Sequence, residues 1–199
     1  MTRAKDISKI LTDADISGTL DVTGNVTVTG DLASSTSGTS NFRAGVNAGN
    51  SIASGGNYNT VVGDEAGTAL TTGDHNTAIG YAALDAEDAG TASVAIGNYA
   101  LSSQNADGNN YNTAVGYVAG SNVTTGTQNT LIGGLSGDSI TDADGNVAVG
   151  YATLTDNVLG SNSVAIGRNA LNAQNPASAT DMYNVAVGNN AGEAITTGV

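Results

Sequence analysis

The chain has 199 residues and a formal net charge of −13, with 5 Lys and Arg against 18 Asp and Glu. So few cations argue against binding to nucleic acid or to an anionic membrane, because both need clusters of Lys and Arg. Cysteine is absent, which excludes disulfides and thiol chemistry, and no apolar run is long enough to span a membrane. With 28 Gly, one Phe and no Trp, any interior must be thin and built from small aliphatic residues.

Residues 1–17 are the only part with a helical pattern, since Ile7, Ile10 and Leu11 share one face of a predicted helix. The segment is short for an independent helix, so it is either a frayed terminus or a docking segment that folds on a partner. We expect the second. It lacks the apolar core and cleavage site of a signal peptide, so either the protein is not secreted by that route or a signal has been removed.

Residues 18–40 form the next segment, and the hydrophobic period changes over 18–32. Leu and Val alternate with Asp, Thr and Gly over GTLDVTGNVTVTGDL, and glycines recur at every sixth position. The alternation predicts short strands with one buried face, separated by glycine turns. A chain this thin has little to bury that face against unless it wraps around identical chains. ASSTSGTS at 33–40 then forms a turn-rich joint.

Residues 41–199 repeat one phrase nine times, as in NTAIGYAAL at 76–84 and SVAIGNYAL at 93–101. Successive central glycines lie about 17 residues apart, with a few longer intervals. A period of this kind predicts a β-solenoid in which each repeat forms one coil of a stack and cannot bury its apolar side alone. The nine structural glycines, which define coils 1 to 9, are Gly45, Gly63, Gly80, Gly97, Gly116, Gly133, Gly150, Gly167 and Gly188.

Positions within a coil are counted from its central glycine, which is position 0. Position −1 is β-branched in eight of nine coils, position −3 is Thr or Val in eight, and position −2 is mostly Ala. Both faces of this predicted strand are non-polar, so both should be buried, one inside the coil and one against a neighbouring chain. The sequence leaves open which face is the inner one.

Three further regularities predict how a coil packs. Position 0 is always Gly and fits a crowded or left-handed corner, and position +3 is always small. Position +4 is Gly where position +7 is aliphatic, and Leu where position +7 is polar, in nine of nine coils. Each coil therefore has one corner that a single large aliphatic side chain fills from either place. Position −4 is Asn in seven coils and Ser in two, which predicts a hydrogen-bonded ladder or a turn.

The phrases SVAIG and NTAIG resemble the repeats of YadA-like trimeric adhesin heads. That resemblance implies a left-handed parallel β-roll of three intertwined copies over residues 41–199. The stretch ISGTLDVTGNVTVTGDL resembles the shaft of phage tail fibres, notably those of cyanophages, which implies an N-terminus on the virion and a distal end toward the host. The chain stops at TTGV, partway through a coil, so we expect that it is cut short or that its end is covered.

Reactive groups are few. His75 lies in a polar loop, and DADGN at 142–146 is predicted to be a turn rather than a Ca²⁺ loop. Carboxylates cluster at two places, Asp85, Glu87 and Asp88, and Asp138, Asp142 and Asp144, but a uniform stack offers no cleft for a glycosidase pair. Exposed tyrosines could contact sugars or fill loop surfaces. They are Tyr81, Tyr117 and Tyr151 at position +1, and Tyr58, Tyr111 and Tyr183 at position −5.

The sequence therefore predicts an all-β, homotrimeric structural protein without catalytic, cofactor or metal sites. We expect a tail fibre segment that docks on a tail or baseplate protein through its N-terminus and meets a host-surface glycan or protein distally. The nearest alternative is the head of a secreted bacterial trimeric adhesin. An ice-binding solenoid is a third possibility, which needs an unbroken Thr ladder on a flat face, and TTG occurs only at 71–73, 124–126 and 196–198.

Overall fold

A computed structural model describes residues 36–198. The chain divides into two units, Met1–Leu32 and Ala33–Val199, and the described residues all belong to the second. The predicted docking segment with Ile7, Ile10 and Leu11, and the predicted shaft over 18–32, lie outside the described residues.

The described part is all-β, and no helix occurs within residues 36–198. Nine three-residue strands form one parallel sheet in chain order. They are β1 (Phe42–Ala44), β2 (Thr60–Val62), β3 (Thr77–Ile79), β5 (Val94–Ile96), β7 (Thr113–Val115), β8 (Thr130–Ile132), β9 (Val147–Val149), β11 (Val164–Ile166) and β13 (Val185–Val187). Four two-residue strands form two further parallel pairs, β4 (Gly90–Thr91) with β6 (Gly108–Asn109) and β10 (Gly160–Ser161) with β12 (Thr180–Asp181).

Every pair in the large sheet joins equivalent positions of successive coils. Ala78 of β3 lies opposite Ala95 of β5, for example, and Ala165 of β11 lies opposite Ala186 of β13. The short insertions between some coils are therefore absorbed outside the sheet. This register confirms the predicted parallel β-solenoid of about nine coils with a base period of about 17 residues.

The central glycines stack in a column that has no room for a Cβ atom at eight of its nine positions. All nine have φ between +120° and +144°, a region that residues with a Cβ rarely adopt. In the first eight coils a Cβ at this position would lie 2.2 to 2.8 Å from the backbone of the next central glycine. Both the conformation and the approach of the neighbouring coil therefore require glycine, as the sequence predicted.

Three more positions in every coil, −5, +2 and +4, also adopt the left-handed conformation, and most are not glycine. At position +4 even leucine takes it, with φ of +54° at Leu84 and +48° at Leu171. The repeated sharp corners of a coil this short demand these values. Sequence reasoning had located only the central glycine, because leucine is not a residue that signals positive φ.

The corner-filling prediction is confirmed in the interior. Leu84, Leu101, Leu154 and Leu171 at position +4, and Leu70, Val123 and Ile140 at position +7, have no exposed surface. At four of the five coils with glycine at +4, a Cβ there would lie within 3.4 Å of the aliphatic side chain at +7 of the same coil. One large aliphatic group from either place fills the corner, and two would overlap.

The asparagines at position −4 tie each coil to the next. The Oδ1 of Asn59 accepts the backbone N–H of Asn76 at 2.8 Å, and its Nδ2 donates to the carbonyl of Gly73 at 2.8 Å. The same two bonds recur along the column at Asn41, Asn76, Asn112, Asn129 and Asn146. The predicted ladder is present, but each amide bonds to the backbone of the neighbouring coil rather than to the neighbouring amide.

A longer period of four coils overlies the single-coil repeat. Coils 1, 2, 5, 6 and 9 have Gly at +4, and coils 3, 4, 7 and 8 have Leu, so the pattern Gly, Gly, Leu, Leu recurs from coil 5 onward. The two small strand pairs recur with it, since β10 and β12 occupy the place in coils 8 and 9 that β4 and β6 occupy in coils 4 and 5. The described chain is thus two four-coil units and one further coil.

Adjacent glycines give a matched test of the column. We expect Gly133→Ala to lower the free energy of unfolding by about 3 kcal/mol or more, because Gly133 has φ of +131° and its Cβ would lie 2.3 Å from the Gly150 carbonyl oxygen. Gly134→Ala should change it by less than about 0.5 kcal/mol, since its Cβ would make ordinary contact with Tyr151 at 3.6 Å. Chemical denaturation measures both, and equal effects would contradict the column.

The core gives a second prediction. Leu70→Gln should lower the free energy of unfolding by about 2–4 kcal/mol, because it leaves an amide without partners among aliphatic groups. Thr72→Gln, on an exposed position of the same coil, is the control and should have little effect. If the two variants melted together, the +7 position could not be the interior corner.

Candidate functional surfaces

The structure decides which face of the strands lies inside. The side chains at position −2 point into the coil, and Ala78, Ala95 and Ala114 have no exposed surface. The branched residues at −3 and −1 point outward, with Ile132 38% and Ile166 39% exposed. Position −2 is therefore the inner position of the strand. It is Ala in six coils, and where it is larger, as at Val61 and Leu131, position +4 of the same coil is Gly.

We call the outward side of the nine strands the outer face. It carries no charged residue, and at about 4.8 Å per strand it extends about 40 Å along the stack. Single exposed aliphatic residues are common on proteins, whereas a continuous uncharged surface of this length is typical of an interface. Its residues are Phe42, Ala44, Thr60, Val62, Thr77, Ile79, Val94, Ile96, Thr113, Val115, Thr130, Ile132, Val147, Val149, Val164, Ile166, Val185 and Val187.

Threonine occupies position −3 in only four of the nine coils, at Thr60, Thr77, Thr113 and Thr130. Val94 interrupts the column, and valine replaces threonine from coil 7 onward. The threonines of the TTG phrases lie elsewhere, and Thr71 and Thr124 donate hydrogen bonds to the carboxylates of Asp88 and Asp142 in the next coil. On the strands of the described coils, the unbroken threonine ladder that ice binding needs is therefore not formed.

Tyrosines form two exposed columns at the ends of the strands. At position +1, Tyr81, Tyr117 and Tyr151 recur in every second coil. At position −5 the column is irregular, and its Tyr58 stacks on His75 with ring centroids 4.9 Å apart. His75 thus lies in the loop predicted for it, packed on a neighbouring ring.

The first predicted carboxylate cluster does not converge. Glu87 points into the core and has no exposed surface, whereas Asp88 lies outside and accepts a hydrogen bond from Thr71. Asp85 is half-buried, and its Oδ1 has no hydrogen-bond partner among the described residues. These three side chains do not form the pair of carboxylates across a cleft that glycoside hydrolysis needs.

The second cluster is also divided. Asp142 and Asp144 each accept hydrogen bonds from the previous coil, Asp144 from the backbone N–H and the hydroxyl of Thr127 at 2.6 and 3.0 Å. Asp138 precedes both residues in the chain, and its Oδ1 has no hydrogen-bond partner among the described residues. Burial raises the pKa of its carboxyl, and the nearby charge of Asp156 raises that pKa further. The loop at 142–146 therefore joins coils, as a structural turn does.

Glu87 belongs to a buried polar cluster that sequence reasoning missed. Its Oε1 accepts the Gly90 N–H at 2.6 Å, and its Oε2 accepts from Gln104 at 2.8 Å and Asn110 at 3.0 Å. Gln104 Nε2 also donates to Ser93 Oγ at 3.0 Å, and its Oε1 accepts from Asn112 at 2.8 Å. The polar residues at +7 in the Leu coils are thus interior residues with several partners.

A related cluster recurs four coils later. Gln174 bonds to Ser163 and accepts from Asn184 at 2.9 Å, and Asn157 replaces Glu87. In both clusters the glutamine occupies the gap left where Ser replaces Asn in the axial column. The sequence indicates this pairing, because the two serines at −4 occur only in the two coils with Gln at +7.

Burial raises the pKa of Glu87 above its ordinary value of 4.5, and the hydrogen bonds from Gln104 and Gly90 only partly offset this. Its hydrogen-bond partners in the described coils include no Lys or Arg side chain. The carboxyl group is therefore buried among neutral hydrogen-bond donors. Removing water from its ionised form costs free energy, which these donors offset only in part.

Within residues 36–198, no three His, Asp or Glu side chains are placed so that they could hold a metal ion. The same part of the chain contains no helix long and apolar enough to cross a membrane. No protein family, curated protein or solved structure matches this chain.

The Glu87 cluster gives a pH prediction. Because the pKa of Glu87 is raised in the folded state, the folded chain binds a proton at this carboxyl more readily than the unfolded chain does. Protonation of Glu87 therefore stabilises the fold as the pH falls toward 4.5. This stabilisation is lost as the pH rises through the raised pKa. The free energy of unfolding of the wild type relative to Glu87→Gln should therefore increase on acidification from about pH 8 to about pH 5.

The equivalent neutral position in the second cluster provides the control. Asn157→Asp should introduce a similar dependence relative to the wild type, since the new carboxyl would also be fully buried. Denaturation curves across this pH range measure both differences. Parallel profiles for the wild type and Glu87→Gln would show that the folded pKa of Glu87 is unchanged.

Proposed function

We propose that this chain is a segment of a fibrous virion protein, a phage tail fibre, with a structural role rather than an enzymatic one. The observation that carries the proposal is the register. Each coil pairs with the next at equivalent residues, and buried asparagines repeat the connection inside. Such a column transmits force along its axis through many backbone hydrogen bonds and presents the same surfaces at every level. The likeness of SVAIG, NTAIG and ISGTLDVTGNVTVTGDL to fibre and adhesin repeats supports the same role.

In this proposal the chain is a homotrimer in which the outer faces of three copies pack together. A parallel strand is expected to be covered on both faces, and the inner face is already closed by the corner residues. The outer face has the uncharged, branched composition of an obligate interface. Its roughly 40 Å length gives each copy a long line of contact.

The ends of the fibre have separate partners in this proposal. The N-terminal segment with Ile7, Ile10 and Leu11 docks on a tail or baseplate protein of the virion. The distal part meets a glycan or protein of the host surface. The net charge of −13 per chain keeps neighbouring fibres apart in solution and disfavours contact with nucleic acid.

The alternative is the head of a secreted bacterial trimeric adhesin, which the SVAIG repeats favour equally. The two proposals differ in location. Antibodies raised against residues 41–199 should label the tails of virions in immunogold electron microscopy if the fibre proposal holds. Labelling of the surface of uninfected bacteria, together with a signal peptide and membrane anchor in the full gene, would replace it with the adhesin.

The trimer gives a prediction for the purified chain. Sedimentation or native mass spectrometry should find a particle of three times 19.5 kDa. Ile96→Glu with Val115→Glu should dissociate it, because two charges per copy would be buried on the outer face without partners.

Thr72→Glu with Asn105→Glu adds the same charge at exposed positions away from the outer face, and should leave the trimer intact. A wild-type chain that stays folded as a monomer would contradict the interface. Dissociation by both double variants would attribute the effect to net charge alone.

A further inference from the structure

The position after the central glycine forms a second repeating surface, which we call the +1 column. Between its successive tyrosines stand Asn98, which has a planar amide, and Gly134, which has no side chain. In chain order the column is Val46, Asp64, Tyr81, Asn98, Tyr117, Gly134, Tyr151, Arg168 and Asn189. The outer-face packing does not require this pattern, because these residues lie beyond the strand ends.

The backbone holds the +1 column in register. The carbonyl of each +1 residue accepts the N–H of the +2 residue of the next coil, at 2.9 Å from Tyr81 to Tyr99 and at 3.0 Å from Tyr117 to Leu135. Successive +1 residues are therefore one strand spacing apart, about 4.8 Å. Tyr81, Tyr117 and Tyr151 lie in coils 3, 5 and 7, so consecutive tyrosines are about 9.6 Å apart along the axis.

The rings are available to a ligand. Tyr81, Tyr117 and Tyr151 are 41%, 62% and 53% exposed. Between the second and third tyrosines stands Gly134, where an added Cβ would touch the Tyr151 ring at 3.6 Å. The absence of a side chain there leaves the Tyr151 ring uncovered on that side.

Additional groups suit a polyhydroxylated partner. Tyr99 packs edge-on against Tyr81, with centroids 5.3 Å apart, and widens the aromatic surface at one end. Asp64, Asn98 and Arg168 are exposed, each one coil from a tyrosine. Their carboxylate, amide and guanidinium groups can donate to or accept from hydroxyls on either side of a stacked ring.

A β-1,4-linked polysaccharide matches this arrangement. Each pyranose ring has an apolar C–H face that stacks on aromatic rings, while its hydroxyls point sideways. An extended β-1,4 chain turns over at each sugar and repeats after two, a distance close to the two-coil interval of the tyrosines. A nucleic acid would need cations, and the column supplies only Arg168.

We propose that the +1 column binds one strand of a β-1,4-linked polysaccharide lying along the coil axis. Alternate sugars stack on Tyr81, Tyr117 and Tyr151, and Asn98 and Arg168 hydrogen-bond the hydroxyls of the sugars between or beyond them. This deepens the proposed host-surface role and rests on it for the biological source of the glycan. The binding itself is a property of the purified chain.

The −5 column is the natural comparison. Tyr58, Tyr111 and Tyr183 lie in coils 2, 5 and 9, so their spacing is three and then four coils and cannot match a two-sugar repeat. Tyr58 is stacked on His75, and the Tyr183 hydroxyl donates to Asp181 at 3.0 Å. These three rings have similar exposure, of 57%, 54% and 68%.

Binding to insoluble cellulose, chitin and peptidoglycan tests the proposal, with α-linked dextran as the control polymer. We expect retention on at least one β-1,4-linked polymer. Tyr81→Ala, Tyr117→Ala and Tyr151→Ala together should weaken it at least about tenfold. Tyr58→Ala, Tyr111→Ala and Tyr183→Ala together should leave it unchanged. The polymer that retains the protein identifies the source.

Three outcomes would overturn the proposal. They are no retention on any β-1,4-linked polymer, equal retention on dextran, and equal loss from the two triple variants. Oligomeric state and melting temperature are measured on the same samples. A +1 triple variant that loses the trimer, with a wild type that binds no glycan, would assign the column to contact between copies. A folded trimer without glycan binding would leave the fibre proposal standing and remove this one.

Discussion

Parallel stacking in register means that every side chain meets its own equivalents above and below, about 4.8 Å away. Each position of the coil must therefore be compatible with itself. Glycine at position 0 satisfies this because the backbone of the next coil leaves no room for a Cβ. Alanine at −2 and +3 satisfies it by size, and asparagine at −4 by offering one acceptor and one donor in the axial direction.

The polar clusters show how this constraint is relaxed locally. Where Ser93 and Ser163 interrupt the asparagine column, a glutamine from position +7 takes over the connection to the next asparagine. The glutamine can enter only because leucine at +4 has already filled the corner that +7 fills elsewhere. The residues at positions −4, +4 and +7 of a coil therefore depend on one another. Apolar packing and hydrogen bonding are exchanged together, because an unpartnered amide in this interior would be costly.

Much of the fold could be predicted from the sequence because the residue preferences of each coil position recur in nine coils. The central glycine and the exchange between +4 and +7 were predicted, and the structure gives each a contact. The small residues predicted at +3 are buried, as at Ala83 and Ala100. The inner face could not be predicted, since Ala78 and Ile79 are both non-polar and only the width of the closed coil decides between them. Burial of Glu87 and Gln104 was missed because a single polar residue usually indicates solvent. Left-handed Leu84 carries no local signal at all. For the candidate surfaces, the sequence located the tyrosines and the coils that carry them. It did not give the contacts of the −5 column, where Tyr58 stacks on His75 and the Tyr183 hydroxyl donates to Asp181.

The four-coil unit has a consequence for how such a rod changes length during evolution. When one whole four-coil unit is added or deleted, the new junction is of the kind that already exists between coils 4 and 5. The Gly and Leu corners, the serines at −4 and the glutamines at +7 then keep the same types of neighbour. Loss of coil 3 or coil 4 alone would instead break the hydrogen bond between Glu87 and Gln104, which joins the two Leu coils. Whole units keep such pairs together, so we expect stacks of this type to differ in length by steps of about 19 Å.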